Sequence, residues 1–157
     1  MSVSMPTAAE LLEGRRRVLV TGGGGFIGGA VVRRLLLESD ALVFNLDKMG
    51  YASDLTGIEA VLKQQGAAAA GRHQLLHVDL ADADAVQQAV QQADPDLVLH
   101  LAAESHVDRS ISGPGVFMES NVTGTYNLLQ AVRAHYEGLS GERKECFRLH
   151  HISTDEV

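Results

Sequence analysis

A glycine-rich run constrains the fold of this chain more than any other feature of its sequence. The segment TGGGGFIG at residues 21–28 directly follows the apolar stretch 18–20 and leads into a segment with helical apolar periodicity. Gly22, Gly25 and Gly28 leave no side chains where a backbone turns sharply and approaches a pyrophosphate. A helix that begins within the run would direct free N–H groups and the positive end of its dipole at that anion. The order strand, loop and helix therefore predicts a dinucleotide-binding loop, which the glycines alone would not.

An acidic residue stands roughly 20 positions after the last of these glycines, where a dinucleotide-binding unit has one. Asp47 closes a second strand-like run, 41–46. A carboxylate at this place accepts hydrogen bonds from a ribose 2′-OH and repels a 2′-phosphate, so the sequence predicts NAD rather than NADP. The adjacent Lys48 keeps the other cofactor open, because a cation there could tolerate a phosphate. A second interpretation, in which Asp47 caps a turn beside a flexible glycine loop, is disfavoured by the flanking strands and helix.

Composition and charge exclude several classes of function. The 157 residues contain 13 Lys and Arg against 20 Asp and Glu, a formal net charge of −7, so no basic stripe indicates a nucleic-acid partner. No apolar run approaches the ~20 residues of a membrane span. The single cysteine, Cys146, lies in a strand-like run and is predicted to be a small buried hydrophobe in a reducing compartment. We expect a cytoplasmic protein with neither a nucleic acid nor a membrane as partner.

Predicted strands and helices alternate along most of the chain. The strands are predicted at 17–21, 41–46, 73–78, 97–102 and 146–152, and the helices at 26–39, 54–65, 82–92 and 116–137. The sequence predicts a flexible N-terminal extension over 1–14, with one helical turn at 8–12, before a single domain at 15–157. Residues 66–71 are predicted to be a surface connection or a frayed helix end, and 140–145 a polar loop. The alternation predicts an α/β fold, a Rossmann-type doubly wound parallel sheet of strand order 3-2-1-4-5.

The polar and small residues of interest all come directly after the carboxyl ends of predicted strands. Gly22, Asp47 and Asp79 come after the first three strands, 103–105 after the fourth, and 153–156 after the fifth. Because ligands of such sheets bind beyond the carboxyl ends of the strands, these residues are predicted to form one site.

The histidines do not predict a metal site. His100 and His106 lie six positions apart across a strand end, and His150 and His151 point to opposite faces of a strand. Neither spacing matches a pair of metal ligands, so we expect these side chains to be satisfied in the core or exposed. His106, Asp108 and Arg109 come after the fourth strand, where they either shape the site or hold the loop.

Four segments together resemble the dTDP-glucose 4,6-dehydratase family, which belongs to the extended short-chain dehydrogenases/reductases. They are TGGGGFIG at 21–28, NLDK at 45–48, HLAAESHVDRSI at 100–111 and STDEV at 153–157. The resemblance covers residues 15–157. The first segment is shared with many relatives, whereas the third and fourth are much more selective. Ser120 stands where the family often has threonine near the cofactor, and it keeps the hydroxyl. Gly50 stands where threonine is common, which weakens the likeness of the loop after Asp47.

The resemblance implies a role for each of the motif residues. NAD is expected to contact the glycine loop and residues at the ends of the first four strands: Gly22, Gly25, Phe26, Ile27, Gly28, Asp47, Lys48, Met49, Asp79, Leu80, Leu101, Ala102, Ala103, Glu104 and Ser120. Phe26 and Ile27 would cover the pyrophosphate with their amides, and Asp79 with Leu80 would frame the adenine. Ser105 and Thr154 would face the sugar.

The reaction of this family implies catalytic roles for the adjacent acids Asp155 and Glu156. It consists of oxidation at C4 of a dTDP-hexose, elimination of water across C5–C6, and return of the hydride to C6. By resemblance Glu156 removes the C5 proton, Asp155 protonates the departing hydroxyl, and Thr154 contacts the substrate. Two neighbouring carboxyls with different pKa values suit that division of labour. The competing interpretation is a solvated acidic turn after the fifth strand.

The family's Tyr-x-x-x-Lys pair is missing from the sequence, because Tyr51, Tyr126 and Tyr136 have no lysine four positions later. We therefore expect the N-terminal, NAD-binding part of a dehydratase, inactive alone, with the sugar-nucleotide domain absent. An uncovered fifth strand and an uncovered face of the long helix predict a homodimer or self-association. Two alternatives remain: a related nucleotide-sugar epimerase or decarboxylase, and a non-catalytic dinucleotide-binding module.

Overall fold

The computed structural model of the chain describes residues 5–105, 111 and 113–153. Its described strands form one five-stranded parallel sheet of order β3-β2-β1-β4-β5, which confirms the predicted topology. The strands are β1 (Arg17–Thr21), β2 (Leu42–Asp47), β3 (His73–His77), β4 (Leu97–His100) and β5 (Arg148–His151).

Helices cover both faces of the sheet. In chain order they are α1 (Ala8–Leu12), α2 (Phe26–Glu38), α3 (Thr56–Gln65), α4 (Ala67–Ala70), α5 (Ala83–Ala93), α6 (Pro114–Phe117), a π-helical segment (Met118–Thr123), α7 (Gly124–Gly138) and α8 (Gly141–Cys146). None of these described helices combines the length and the apolar character that a transmembrane span requires.

The central strand is buried on both faces, which explains its unbroken apolar run. Val18 and Val20 pack with α1, α2 and α3 on one face, whereas Leu19 packs with α5 and α7 on the other. All three side chains are fully buried. Successive side chains of a strand point to opposite faces, so a strand between two helical layers needs apolar residues at every position.

Within the segment predicted as a flexible N-terminal extension, α1 packs on the domain. Thr7 and Glu10 form a capping box at the start of α1, and Ala8 and Leu12 are buried. The Ala8 N–H donates to the Glu38 carboxylate at 2.9 Å, which joins α1 to the end of α2. The helical turn predicted at 8–12 is present, and apolar burial together with the cap holds it in place.

Two expectations near residue 146 are wrong. The stretch predicted as a polar loop forms α8, and Cys146 is an exposed residue at the end of that helix, not a buried strand residue. Arg143 of α8 is held by Asp94 at 2.9 Å and Asp96 at 2.8 Å. These ion pairs fix the polar helix against the end of α5 and delay the start of β5 to Arg148.

The long helix predicted at 116–137 contains a π-helical segment. In a π-helix the hydrogen bond spans five residues instead of four, so the segment rotates the downstream residues relative to a continuous α-helix. The apolar face predicted from Val122, Thr125, Leu129 and Val132 is therefore only partly correct. Val122 and Leu129 are 54% and 45% exposed. The buried residues of α7 are Gly124, Leu128, Ala131 and Val132.

Candidate functional site

A cleft of about 430 Å³ opens at the carboxyl edge of the sheet. Most of the predicted cofactor residues line it: Gly22, Gly25, Phe26, Ile27, Gly28, Asp47, Lys48, Leu80, Leu101, Ala102, Ala103, Glu104 and Ser120. Ser105, predicted to face the sugar, also lines it. Met49 and Asp79 flank the lining without belonging to it. The remaining lining residues, which the sequence did not single out for the site, are Leu46, Gly50, Tyr51, Ala52, Ser53 and Val78.

Surrounding backbone atoms leave no room for side chains at two glycines of the loop. Gly22 adopts a φ of +72°, in the left-handed region, and a Cβ there would lie 2.7 Å from the Cα of Ala102. A Cβ on Gly28 would collide with the carbonyl oxygen of Gly22. The Gly25 N–H donates to that same carbonyl at 3.0 Å, which closes the turn. The loop is therefore compact and ordered by backbone contacts.

The helix after the loop begins without a side-chain cap. Gly25 is the N-cap of α2 and offers no side chain to the first N–H groups. Phe26 is 95% exposed and Ile27 60% exposed, so the first turn faces the cleft from its rim. Unpaired N–H groups at a helix N-terminus attract anions. A bare loop backbone and an uncapped helix together fit a diphosphate group.

Asp47 is buried and organises both loops beside it. Its Oδ2 accepts from the Gly24 N–H at 2.8 Å, and its Oδ1 accepts from the Met49 N–H at 2.8 Å and the Ser53 hydroxyl at 2.7 Å. A carboxylate offers about four acceptor positions, so these three contacts leave one for a further donor. Asp47 thus supports a turn, as the second interpretation of the sequence held, but the glycine loop attached to it is ordered.

An ion pair joins the loops after β2 and β4. Lys48 Nζ lies 2.7 Å from Glu104 Oε1. Burial by itself lowers the pKa of Lys48, but the hydrogen bond and charge of Glu104, with smaller contributions from Asp79 and Asp47, raise that pKa above its ordinary value. Asn121 of the π-helical segment holds the Glu104 backbone, accepting from its N–H at 2.8 Å and donating to its carbonyl at 2.9 Å.

His100 lies beneath the cleft as a buried, hydrogen-bonded residue. Its Nδ1 is 2.7 Å from the Thr21 hydroxyl and its Nε2 is 3.0 Å from the Thr125 hydroxyl. The Thr21 hydroxyl also accepts from the Ala102 N–H at 3.2 Å. Burial, and to a lesser extent the charge of His151, lowers the pKa of His100 to about 4. A neutral imidazole therefore connects β1, β4 and α7.

The predicted catalytic residues Thr154, Asp155 and Glu156 lie outside the described residues, as do His106, Asp108 and Arg109, and their roles stay predictions. Within 5–105, 111 and 113–153, no three His, Cys, Asp or Glu side chains are grouped to hold a metal ion. Two residues that position the site were not predicted from the sequence: Ser53, which donates to Asp47, and Asn121, which holds Glu104. No motif marks either residue, since each acts on the site through another residue, six positions away for Ser53 and 17 for Asn121.

Known proteins resemble this chain over most of its length. The sequence model of the GDP-mannose 4,6 dehydratase family matches residues 19–157. A dTDP-glucose 4,6-dehydratase of Shigella flexneri is 48% identical over 141 residues, which make up 90% of this chain and 37% of that protein. The dTDP-glucose 4,6-dehydratase 1 of Escherichia coli K12 is 47% identical over the same share of each chain. The chain thus spans little more than a third of these relatives.

Solved structures show the same likeness. A dTDP-glucose 4,6-dehydratase of Streptomyces venezuelae, solved with NAD bound, has a TM-score of 0.65 and 39% identity, with 76% of this chain and 36% of that chain covered. A UDP-glucose 4-epimerase of Thermus thermophilus, also solved with NAD, has a TM-score of 0.62 and 34% identity, with 76% and 34% covered.

Proposed function

Because this chain belongs to the GDP-mannose 4,6 dehydratase family, we propose that it binds NAD and supplies the cofactor-binding part of a dTDP-glucose 4,6-dehydratase. The relatives that support this proposal most are the dehydratases at 47–48% identity. The epimerase neighbour, at 34% identity, supports a related nucleotide-sugar enzyme less strongly.

The single observation that carries the proposal is the cleft itself. The glycine loop, the uncapped start of α2 and the buried Asp47 meet in one cavity at the carboxyl edge of the sheet. Backbone N–H groups from Phe26 and Ile27 would hold the diphosphate. The remaining acceptor position of Asp47 would take a ribose hydroxyl, and its buried negative charge would oppose a 2′-phosphate.

For the chemical step we propose the roles that the family resemblance implies. NAD, when bound, supplies the reversible oxidation of the sugar. Glu156 takes the proton from C5, Asp155 gives a proton to the leaving hydroxyl at C6, and Thr154 and Ser105 contact the sugar. The acid and the base are adjacent in sequence, which allows their pKa values to diverge through mutual repulsion.

We further propose that this chain is inactive as a dehydratase by itself and associates with a second copy. No tyrosine in it is followed four positions later by a lysine, so the proton acceptor for the C4 hydroxyl is missing from the sequence. The exposed apolar stripe, which we define as Met118, Val122, Tyr126 and Leu129, is 45–60% exposed along the long helix. Such a surface favours self-association. A cytoplasmic location also stays a proposal, consistent with the one unpaired cysteine.

Calorimetric titration of the chain with NAD⁺ and NADP⁺ tests the proposal. We expect measurable binding of NAD⁺ and binding of NADP⁺ at least about tenfold weaker, since one buried carboxylate beside a 2′-phosphate is worth roughly 1.4 kcal/mol or more. Absence of binding to either nucleotide at millimolar concentration would refute the proposed cofactor site. Incubation with dTDP-glucose and NAD⁺ tests the second part, because formation of a 4-keto-6-deoxy sugar by the chain alone would contradict its inactivity.

A further inference from the structure

The loops after β2 and β4 meet across the end of β1 through one ion pair. β1 lies between β2 and β4 in the sheet, so the contact of Lys48 with Glu104 at 2.7 Å spans the cleft above the glycine loop. The Glu104 side chain is 12% exposed and that of Lys48 is 34% exposed. A pair that is this well shielded is screened by salt much less than a surface pair.

Glu104 is fixed in place independently of Lys48. Asn121 holds its backbone from both sides, with hydrogen bonds of 2.8 and 2.9 Å. The hydroxyl of Tyr51 lies 3.5 Å from its second carboxylate oxygen. The Glu104 backbone is therefore held beside the cleft by contacts that do not involve Lys48.

The charge balance of the cleft depends on this carboxylate. Among the described residues that line the cavity, Lys48 is the one with a permanent positive charge, and Asp47 and Glu104 are the two acids. Lys48 directly follows Asp47, the residue proposed to face the adenosine ribose. By itself a cation at this position would attract a 2′-phosphate, which is why the sequence alone keeps NADP open.

We infer that Glu104 is a determinant of cofactor selectivity, because it neutralises Lys48 and so denies a 2′-phosphate its only cationic partner in the described lining of the cleft. The inference rests on the proposed NAD-binding function. It does not require the pair to stay closed around a nucleotide, since Lys48 and Glu104 sum to zero charge whether their side chains touch or separate. Selectivity against NADP then comes from the acids that remain uncompensated near Lys48, which are Asp47 and the flanking Asp79.

A double-mutant cycle read by calorimetry tests this inference. We expect Glu104→Gln to raise NADP⁺ affinity relative to NAD⁺ by about tenfold, because Lys48 becomes uncompensated and the phosphate adds nearly two negative charges. Lys48→Met should have the opposite effect and lower relative NADP⁺ affinity, since Glu104 is then unpaired in the cleft. The double variant should return close to the discrimination of the unmodified chain.

Glu137→Gln is the matched control, because it removes the same charge and breaks the 2.8 Å ion pair of Glu137 with Arg133 at the end of α7, outside the cleft lining. It should leave the ratio of the two affinities unchanged. Binding of NAD⁺ with no change of ratio in Glu104→Gln and Lys48→Met would overturn the inference while leaving the proposed function intact. Failure of the unmodified chain to bind NAD⁺ would overturn both. If Glu104→Gln fails to fold, as judged by circular dichroism, the sign of the Lys48→Met effect decides alone.

Discussion

Replacing Gly28 by alanine tests whether the close approach of α2 to the glycine loop leaves no room for a side chain, apart from the effect of alanine on helix propensity. A Cβ at this position would collide with the Gly22 carbonyl oxygen and lie 2.7 Å from the Gly22 carbonyl carbon and 2.9 Å from the Gly23 Cα. All three atoms belong to the backbone, so no side chain can rotate away and the loop must move. Gly29, the next residue of the helix, would meet Arg33 and Gly23 atoms only at 3.4 Å.

The two neighbouring substitutions should therefore have opposite effects. Glycine to alanine inside a helix gains up to ~1 kcal/mol of helix propensity, and Gly29→Ala should show part of that gain. In Gly28→Ala we expect overpacking to exceed the gain and to lower the free energy of unfolding by ~2–3 kcal/mol. For a chain of 157 residues this corresponds to a loss of roughly 6–9 °C in Tm.

Differential scanning calorimetry measures both changes, and titration with NAD⁺ measures the loss of the diphosphate site. Gly28→Ala should bind NAD⁺ at least about tenfold more weakly, because a displaced loop no longer presents its backbone to the anion. If Gly28→Ala melts at the temperature of the unmodified chain and binds NAD⁺ as well, the close approach of α2 to the loop does not constrain this site, and the reasoning fails.

Two further predictions concern the residues beneath and outside the cleft. His100 has a pKa of about 4 in the folded chain against an ordinary value near 6.5. The neutral side chain therefore contributes about 3 kcal/mol to the free energy of unfolding above pH ~6.5, and this contribution is lost as the pH falls toward 4. In urea unfolding, His100→Gln should lose less free energy of unfolding than the unmodified chain between pH 7.5 and 5. An equal loss in both would contradict the low pKa of His100. In sedimentation experiments Tyr126→Glu in the exposed apolar stripe should shift the chain toward monomer, whereas Leu37→Glu on α2, where Leu37 is 49% exposed, should not. A chain that is monomeric at high concentration before any substitution would disprove the self-association.

The sheet order could be predicted because strand and helix alternate with distinct apolar patterns. Val18 to Val20 indicate a strand that is covered on both sides, and a right-handed crossover after each strand leaves few arrangements open. Helix α8 could not be predicted, because it has no apolar pattern of its own. Its sequence is polar and short, and its stability comes from Arg143 contacts with Asp94 and Asp96, about 50 residues away in the chain.

The same distinction applies to the site. The glycine loop and Asp47 are recognisable because their spacing results from the geometry of one strand–helix–strand unit. The pairing of Lys48 with Glu104 joins positions 56 residues apart, and no local pattern encodes it. Sequence reasoning could therefore name both residues as cofactor contacts, but it could not show that one cancels the charge of the other.

The π-helical segment at Met118–Thr123 lets one long helix direct side chains both to the cleft and to the core, which a regular α-helix would point in other directions. Within this segment, Ser120 lines the cleft and Asn121 holds the backbone of Glu104. Downstream of the segment, Leu128 and Ala131 fill the interior of the domain. Substitutions among the core residues of this helix can thus adjust the packing of the domain without changing the direction of the side chains at the cleft.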